Sequence, residues 1–176
     1  GYMELQNFDP AVQEQIYKMV SIGLCSNISG QVMVDCMVKP PVEGEESYPL
    51  YAQEMEKLYT SLLVRSQKLS KALTTMTNVT CSPINGALYA FPTINLPRKA
   101  VDAAKLAGMP PDTFYAVELL DNTGICVVPG NGFKQQAGTY HFRTTFLPGE
   151  EKMDMVIEKL RSFNEGFMAK YAGDAQ

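Results

Sequence analysis

The chain has 176 residues, of which 45% are hydrophobic and 19% are charged, and its formal net charge at pH 7 is −4. This length and apolar content are typical of one globular domain, or of one domain with part of a neighbour. No basic stripe is present to follow a phosphate backbone, and no segment is long and apolar enough to cross a bilayer. We therefore expect neither a nucleic-acid-binding protein nor a membrane protein.

The first 48 residues are predicted to complete a larger domain. Residues 1–5 enter a short apolar run that favours a strand, and unpaired strand edges promote aggregation. We therefore expect a piece of a longer protein; the alternatives are a trimmed natural terminus or a glycine left by tag removal. Asp9 and Pro10 are typical of a helix start. A second helix is predicted over the dense apolar run 32–38, and we expect it to be buried.

A polar, acidic loop at residues 42–48 precedes a long amphipathic helix predicted over residues 49–76. At 1.5 Å per residue this helix would span roughly 40 Å, enough to bridge two domains. We therefore divide the chain into residues 1–48, the end of a large domain, residues 49–76, an interdomain helix, and residues 77–176, a small domain.

Beyond residue 77 the pattern changes to short strands and helices. Strands are predicted over residues 79–81, 87–91, 125–128 and 139–147. Helices are predicted over residues 98–107, 112–121 and the segment that begins at Pro148, with Gly108 and Gly124 as C-caps. The expected fold class is α/β, with helices packed on a small, mostly antiparallel sheet.

The strand at residues 139–147 carries the main candidate for a binding residue, Arg143. Alternation places His141 and Arg143 on one face and Phe142 on the other. An arginine in a strand of large apolar side chains needs an anionic partner. That partner is either the carboxylate of a ligand, since guanidinium pairs with it in a bidentate manner, or an internal aspartate or glutamate.

Five segments, in the same order along the chain, resemble the alanine aminotransferases, which are fold-type I enzymes that use pyridoxal phosphate. They are Gly1-Tyr2-Met3-Glu4; Leu24-Cys25 with Gly30-Gln31; Gly86-Ala87-Leu88-Tyr89-Ala90-Phe91-Pro92; Gly124-Ile125-Cys126-Val127-Val128-Pro129-Gly130 with Gly132-Phe133; and Gly138-Thr139-Tyr140-His141-Phe142-Arg143. The resemblance implies the C-terminal small domain of such an enzyme, preceded by the last strand and helices of its large cofactor domain.

The resemblance implies a homodimer that converts L-alanine and 2-oxoglutarate into pyruvate and L-glutamate. Arg143 would hold the substrate α-carboxylate. The cofactor-binding lysine would lie before Gly1, so the chain would contain no catalytic residue, would bind no pyridoxal phosphate and would be inactive alone. A non-catalytic α/β module that binds an amino-acid carboxylate, and a related aminotransferase with another substrate, are the alternatives.

Other candidate residues are weaker. Asn131 and Gly132 would shape the pocket wall or form a simple turn. His141, the one histidine of the chain, is expected beside the site rather than in catalysis. Ser26 and Asn27 resemble the loop that, in related aminotransferases, reaches the partner subunit's active site.

The cysteines favour an intracellular protein. Their spacings match neither a zinc knuckle nor a CxxC redox motif, and with a single histidine we predict no metal site. Scattered thiols of this kind are typical of reduced cysteines. We expect a cytoplasmic or mitochondrial location.

Overall fold

The computed structural model describes residues 3–25 and 27–173. The chain divides into two compact units, Gly1–Glu54 and Met55–Gln176. The domain limits predicted from the sequence, at residues 48 and 76, remain predictions. No helix in the described residues is both long and apolar enough to cross a membrane.

The first unit contains two short helices with side-chain caps. Helix α1 spans Pro10–Val20, and the Asp9 carboxylate accepts a hydrogen bond from the Ala11 N–H at 2.8 Å. Helix α2 spans Ile28–Val38, and Asn27 accepts one from the Gly30 N–H at 3.4 Å. Both caps satisfy amide groups that have no partner within the helix.

Two expectations for the first unit are not met. Residues 3–8 form no strand, because a strand requires a neighbour and no described residue pairs with them. The run 32–38 is helical but not buried, and neither α1 nor α2 buries a residue. The exposed apolar side chains include Val12, Tyr17, Met19, Val32, Met33 and Met37. An apolar run indicates a preference for burial, but burial also needs an element to cover it.

Four helices surround the sheets of the second unit. Helix α3 spans Tyr48–Thr74 and joins this unit from Met55 onward. The others are α4 (Arg98–Leu106), α5 (Pro111–Thr123) and α6 (Glu150–Lys170). Helix α5 has proline at its first position and ends at Gly124, whose φ of 75° is left-handed, as predicted for a C-cap. Acidic residues in the first turn of α6 favour its dipole.

The strands are short and antiparallel. Strand β1 (Val79–Thr80) pairs with β3 (Thr93–Ile94). Strand β5 (Phe142–Thr145) lies between β2 (Tyr89–Ala90) and β4 (Val128–Pro129). An isolated bridge between Thr93 and His141 connects the two sheets.

The strand predictions are only partly correct. The strand predicted at residues 139–147 shrinks to β5, because β2 and β4 pair with it only there. The strand predicted at residues 125–128 is displaced to β4. Pro129 is tolerated in β4 because the strand lies at the sheet edge. Strand β3 was not predicted.

The core of the second unit lies where α3, α5 and α6 meet β5. Its fully buried large apolar side chains are Leu69, Leu73, Ile94, Tyr115, Leu119, Phe142, Met153 and Leu160. Helix α6 buries Met153, Leu160, Asn164, Phe167 and Met168, whereas Met155 is exposed. At about 25 cal/mol per Å² of apolar area, burial of such side chains is the main stabilising contribution.

A polar chain of hydrogen bonds crosses this core. The Tyr115 hydroxyl donates to Asn164 Oδ1 at 3.0 Å, and Asn164 Nδ2 donates to the Thr77 carbonyl at 3.0 Å. Asn164 is 0% exposed, and burial is the main cause that raises the pKa of Tyr115. The hydroxyl therefore stays protonated and acts as the donor.

A second buried polar group, Arg65 on α3, fixes the segment that follows β5. Its guanidinium donates to the carbonyls of Leu147 and Pro148, at 2.8 and 3.1 Å, and to Ser61 on its own helix. These contacts satisfy a side chain that is only 7% exposed. They connect α3 to the end of the strand that carries Arg143.

Candidate functional site

Arg143 lies in the middle strand of the three-stranded sheet, where Val128 of β4 is its cross-strand partner. The preceding residue, Phe142, is fully buried in the core, and Arg143 is half-buried on the opposite face. Side chains alternate along a strand, so the core contacts of Phe142 direct Arg143 outward. Phe142 and Arg143 therefore lie on opposite faces of the strand, as alternation predicts.

Two aromatic rings pack against the Arg143 guanidinium. Its Cζ atom lies 4.7 Å from the ring centre of Tyr89 and 5.0 Å from that of Phe133. Phe91 packs edge-on against Phe133 at 5.4 Å and stacks on His141 at 5.0 Å. We call Tyr89, Phe91, Phe133 and His141 the aromatic cluster. Each cation–π contact at such an exposed site stabilises the guanidinium by about 0.5–1 kcal/mol.

Within residues 3–25 and 27–173, the Arg143 guanidinium has no internal counter-ion. Among the described residues, no aspartate or glutamate forms an ion pair with Arg143. Ring faces offer no acceptor oxygen, so the N–H groups of Arg143 keep their capacity for bidentate pairing. Tyr89 and Phe133, which are 48% and 42% exposed, leave this cation open to solvent. The arrangement is suited to binding a carboxylate against an aromatic wall.

A tight turn places Phe133 beside Arg143. Residues Gly130–Phe133 form one 3-10 turn directly after β4. The Gly130 N–H donates to the His141 carbonyl at 2.8 Å, which extends the β4–β5 pairing by one step. A Cβ atom at residue 130 would lie 2.8 Å from that carbonyl oxygen and would also meet the Gln135 side chain. Close backbone approach therefore requires glycine here.

Asp112, at the start of α5, supports this turn from inside the protein. Its carboxylate is 1% exposed and accepts hydrogen bonds from the N–H groups of Thr113 at 2.9 Å and Asn131 at 2.6 Å. It also accepts one from Gln135 Nε2 at 2.7 Å. Gln135 Oε1 in turn lies 2.8 Å from His141 Nδ1. A buried carboxylate thus joins the turn to the ring of His141.

The structure brings some of the predicted site residues together. His141 lies in the aromatic cluster beside Arg143. Asn131 holds the turn through its N–H group, and its side chain donates to Thr113 rather than lining the arginine site. A Cβ added at Gly132 would lie within 4 Å of no described atom beyond its chain neighbours, and the close approach occurs at Gly130 instead. Asn27 caps α2 in the first unit, while Ser26 lies outside the described residues.

Sequence reasoning missed the residues that surround Arg143. Tyr89 and Phe91 were assigned to a strand and to a resemblance segment, Phe133 only to a resemblance segment, and Asp112 only to a helix start. No local pattern distinguishes Asp112 from an ordinary acidic residue in a first helical turn. Its proximity to Gln135 becomes visible only once α5 and the turn pack together.

Replacing Gly130 by alanine should destabilise the turn by about 1–3 kcal/mol, because the new Cβ overlaps the His141 backbone. The measurement is urea unfolding of the two proteins. Gly132→Ala is the matched control, since open space surrounds that position, and it should change stability far less. Equal effects of the two substitutions would contradict the close approach at Gly130.

No family model matches the chain. A probable mitochondrial alanine aminotransferase from Dictyostelium discoideum is 52% identical over 171 residues, which are 97% of this chain and 32% of the relative. A solved alanine aminotransferase from Pyrococcus furiosus superposes with a TM-score of 0.68 at 22% identity, covering 88% of this chain and 34% of the other.

The chain is similar to alanine aminotransferases over nearly its whole length. The resemblance that the five sequence segments indicated is thereby confirmed, as is the fold class, which matches the C-terminal part of fold-type I aminotransferases. The chain spans about a third of the length of the relatives it matches, 32% of the Dictyostelium protein. Glutamate–glyoxylate aminotransferase 2 from Arabidopsis thaliana is also 44% identical over 172 residues, which are 98% of this chain and 36% of that relative.

Proposed function

We propose that the chain is the substrate-carboxylate-binding part of an alanine aminotransferase that acts on L-alanine and 2-oxoglutarate. The observation that carries the proposal is the Arg143 guanidinium, which has aromatic contacts and no carboxylate partner among the described residues. Its N–H groups would hold the substrate α-carboxylate. The 52% identity to the Dictyostelium alanine aminotransferase supports this reaction.

Two features of the aromatic cluster would assist binding. The rings of Tyr89 and Phe133 restrict where Arg143 can lie, which lowers the entropic cost of pairing with a ligand. They also form an apolar wall that reduces water at the ion pair and strengthens it. Together these residues would orient an amino acid by its carboxylate.

Pyridoxal phosphate, the cofactor that the resemblance implies, would act as the electron sink for amino transfer. The described contacts of Arg143 and His141 come from aromatic rings and an amide. These contacting groups include no amino group that could bind the aldehyde of the cofactor. Five lysines form surface ion pairs, namely Lys18, Lys39, Lys68, Lys105 and Lys170. Following the resemblance, we propose that residues outside the aligned third of the relatives hold the cofactor, and we expect no cofactor binding by this chain alone.

The assembly belongs to the same proposal. The exposed apolar side chains of α1 and α2 support their burial in a longer protein, against its remaining residues or against a second subunit of a homodimer. The role of Ser26 and Asn27 at a partner's active site depends on that dimer. The name of the Dictyostelium relative supports a mitochondrial location. A cytoplasmic location stays a prediction.

A second substrate is favoured by one observation. The chain is also 44% identical to a protein named glutamate–glyoxylate aminotransferase. Relatives of similar identity are therefore named for different substrates. A related aminotransferase with glyoxylate as acceptor is therefore the second candidate function.

The test is to express the full-length protein encoded by the gene and this chain separately, with pyridoxal phosphate present. We expect the full-length protein to form pyruvate from L-alanine and 2-oxoglutarate and to show cofactor absorbance, and this chain to do neither. Faster amino transfer to glyoxylate than to 2-oxoglutarate would favour the second candidate. Absence of transamination with either acceptor would contradict the proposal and favour a non-catalytic carboxylate-binding module.

A further inference from the structure

The hydrogen bonds of Asp112 fix the orientation of the Gln135 amide. Oxygen Oδ2 of Asp112 accepts the Asn131 N–H at 2.6 Å, so this oxygen acts as an acceptor. Gln135 approaches the same oxygen at 2.7 Å and must therefore present its NH₂ group to it. The Gln135 carbonyl then points the other way.

That orientation determines which nitrogen of His141 carries the proton. Gln135 Oε1 lies 2.8 Å from His141 Nδ1, and an amide carbonyl only accepts hydrogen bonds. Nδ1 must therefore be the protonated nitrogen when the ring is neutral. Nε2 is left as an acceptor, since the second nitrogen of a neutral imidazole carries no proton.

The same contacts hold the aromatic cluster in place beside Arg143. His141 stacks on Phe91 with an angle of 5° between the rings, and Phe91 packs edge-on against Phe133. Phe133 belongs to the turn whose Asn131 N–H binds Asp112, and its ring lies 5.0 Å from the Arg143 guanidinium. Asp112 thus reaches the arginine site by two routes, through the ring of His141 and through the backbone of the turn.

We propose that Asp112 is a positioning residue. It sets the Nδ1–H tautomer of His141 through Gln135, and it holds the aromatic cluster in place beside Arg143. The tautomer part depends only on the geometry of this chain. The consequence for substrate binding rests on the proposed function.

The tautomer is measured by the long-range ¹H–¹⁵N spectrum of the histidine ring in ¹⁵N-labelled protein. His141 is the only histidine in the sequence, so its signals need no assignment. For the neutral ring we expect Nδ1 to show the shift of a protonated nitrogen and Nε2 that of an unprotonated one. The reverse pattern in the unmodified protein would overturn the proposal.

The role of Asp112 is tested by Asp112→Ala, with Asp121→Ala as the matched control. Asp121 lies on the same helix and is exposed. Asp112→Ala should release the Gln135 amide and give a mixture of tautomers, whereas the control should keep the Nδ1–H form. An unchanged ring spectrum in Asp112→Ala would overturn the proposal. If Asp112→Ala does not fold, Gln135→Leu is used with the same two outcomes.

The substrate part is tested in the full-length enzyme with the same two variants. Asp112→Ala should raise KM for L-alanine about tenfold with a smaller change in kcat, because Arg143, which binds the substrate carboxylate, is displaced. Asp121→Ala should leave KM unchanged. A normal KM in a variant that has lost the tautomer would overturn the positioning role at Arg143. If the unmodified enzyme shows no transamination, the proposed function fails while the tautomer result stands.

Discussion

Replacement of Arg143 by leucine is expected to lower kcat/KM for L-alanine in the full-length enzyme on the order of 10²–10⁴-fold. The reason is the loss of a bidentate, charged pair, each of whose hydrogen bonds contributes about 1.5–3 kcal/mol. Absorbance of the bound cofactor should persist, because Arg143 is not proposed to hold it. Steady-state kinetics and a visible spectrum measure the two effects.

Two further variants show whether the effect belongs to the guanidinium at this position. Arg143→Lys keeps the charge but loses the planar fork, so its kcat/KM should fall between those of the unmodified enzyme and Arg143→Leu. Arg98→Leu removes an exposed arginine from α4 and should leave kcat/KM unchanged. Near-normal kcat/KM in Arg143→Leu would contradict the assignment of Arg143 to the substrate carboxylate.

Replacement of Asn164 by leucine should lower the free energy of unfolding of this chain by about 3 kcal/mol. Leucine has a similar size but leaves the buried Tyr115 hydroxyl without its acceptor and the part-buried Thr77 carbonyl without its donor. Each unsatisfied buried group costs about 1–3 kcal/mol. The measurement is the urea midpoint and slope, which together give the change in stability.

Asn122→Leu is the control for this prediction. Asn122 is exposed on α5 and its side chain donates only to the Glu118 carbonyl of the same helix. The change in stability should therefore stay within about 0.5 kcal/mol, as is usual for surface substitutions. Equal losses of stability in Asn122→Leu and Asn164→Leu would show that the buried hydrogen bonds of Asn164 add no more to the free energy of unfolding than a surface hydrogen bond does.

Helices were predictable from local signals in this chain. Asp9 with Pro10 marks the start of α1, and Gly124 marks the end of α5, because caps depend on a few neighbouring residues. The burial of α2 was not predictable in the same way. Its run of apolar residues is real, but the described part of its unit contains no element that buries it.

The strands were harder because most of them contain only two paired residues. Strand β3 (Thr93–Ile94) is too short to show alternation. It forms only because it pairs with Val79 and Thr80, which lie in an earlier segment of the chain. The displacement of β4 toward Pro129 has the same origin, since the ladder forms where β5 offers a partner. Register is a property of two strands, and one local sequence does not contain it.

The candidate site shows the same division. Alternation along β5 was enough to place Arg143 on the same face as His141 and opposite Phe142. The rings of Tyr89 and Phe133 come from β2 and from the turn after β4, and only the folded sheet brings them to the guanidinium. Asp112 acts through Gln135, which lies 23 residues further along the chain. Such contacts between distant residues leave no periodic signal in the sequence.

A crystal structure of the full-length enzyme with bound L-alanine tests the central proposal most directly. The account predicts that the carboxylate of the amino acid accepts two hydrogen bonds from the Arg143 guanidinium, with N–O distances of about 2.7–2.9 Å. The rings of Tyr89 and Phe133 should remain against the guanidinium. A structure in which Arg143 pairs with an aspartate or glutamate of the protein, while another residue binds the alanine carboxylate, would contradict the account.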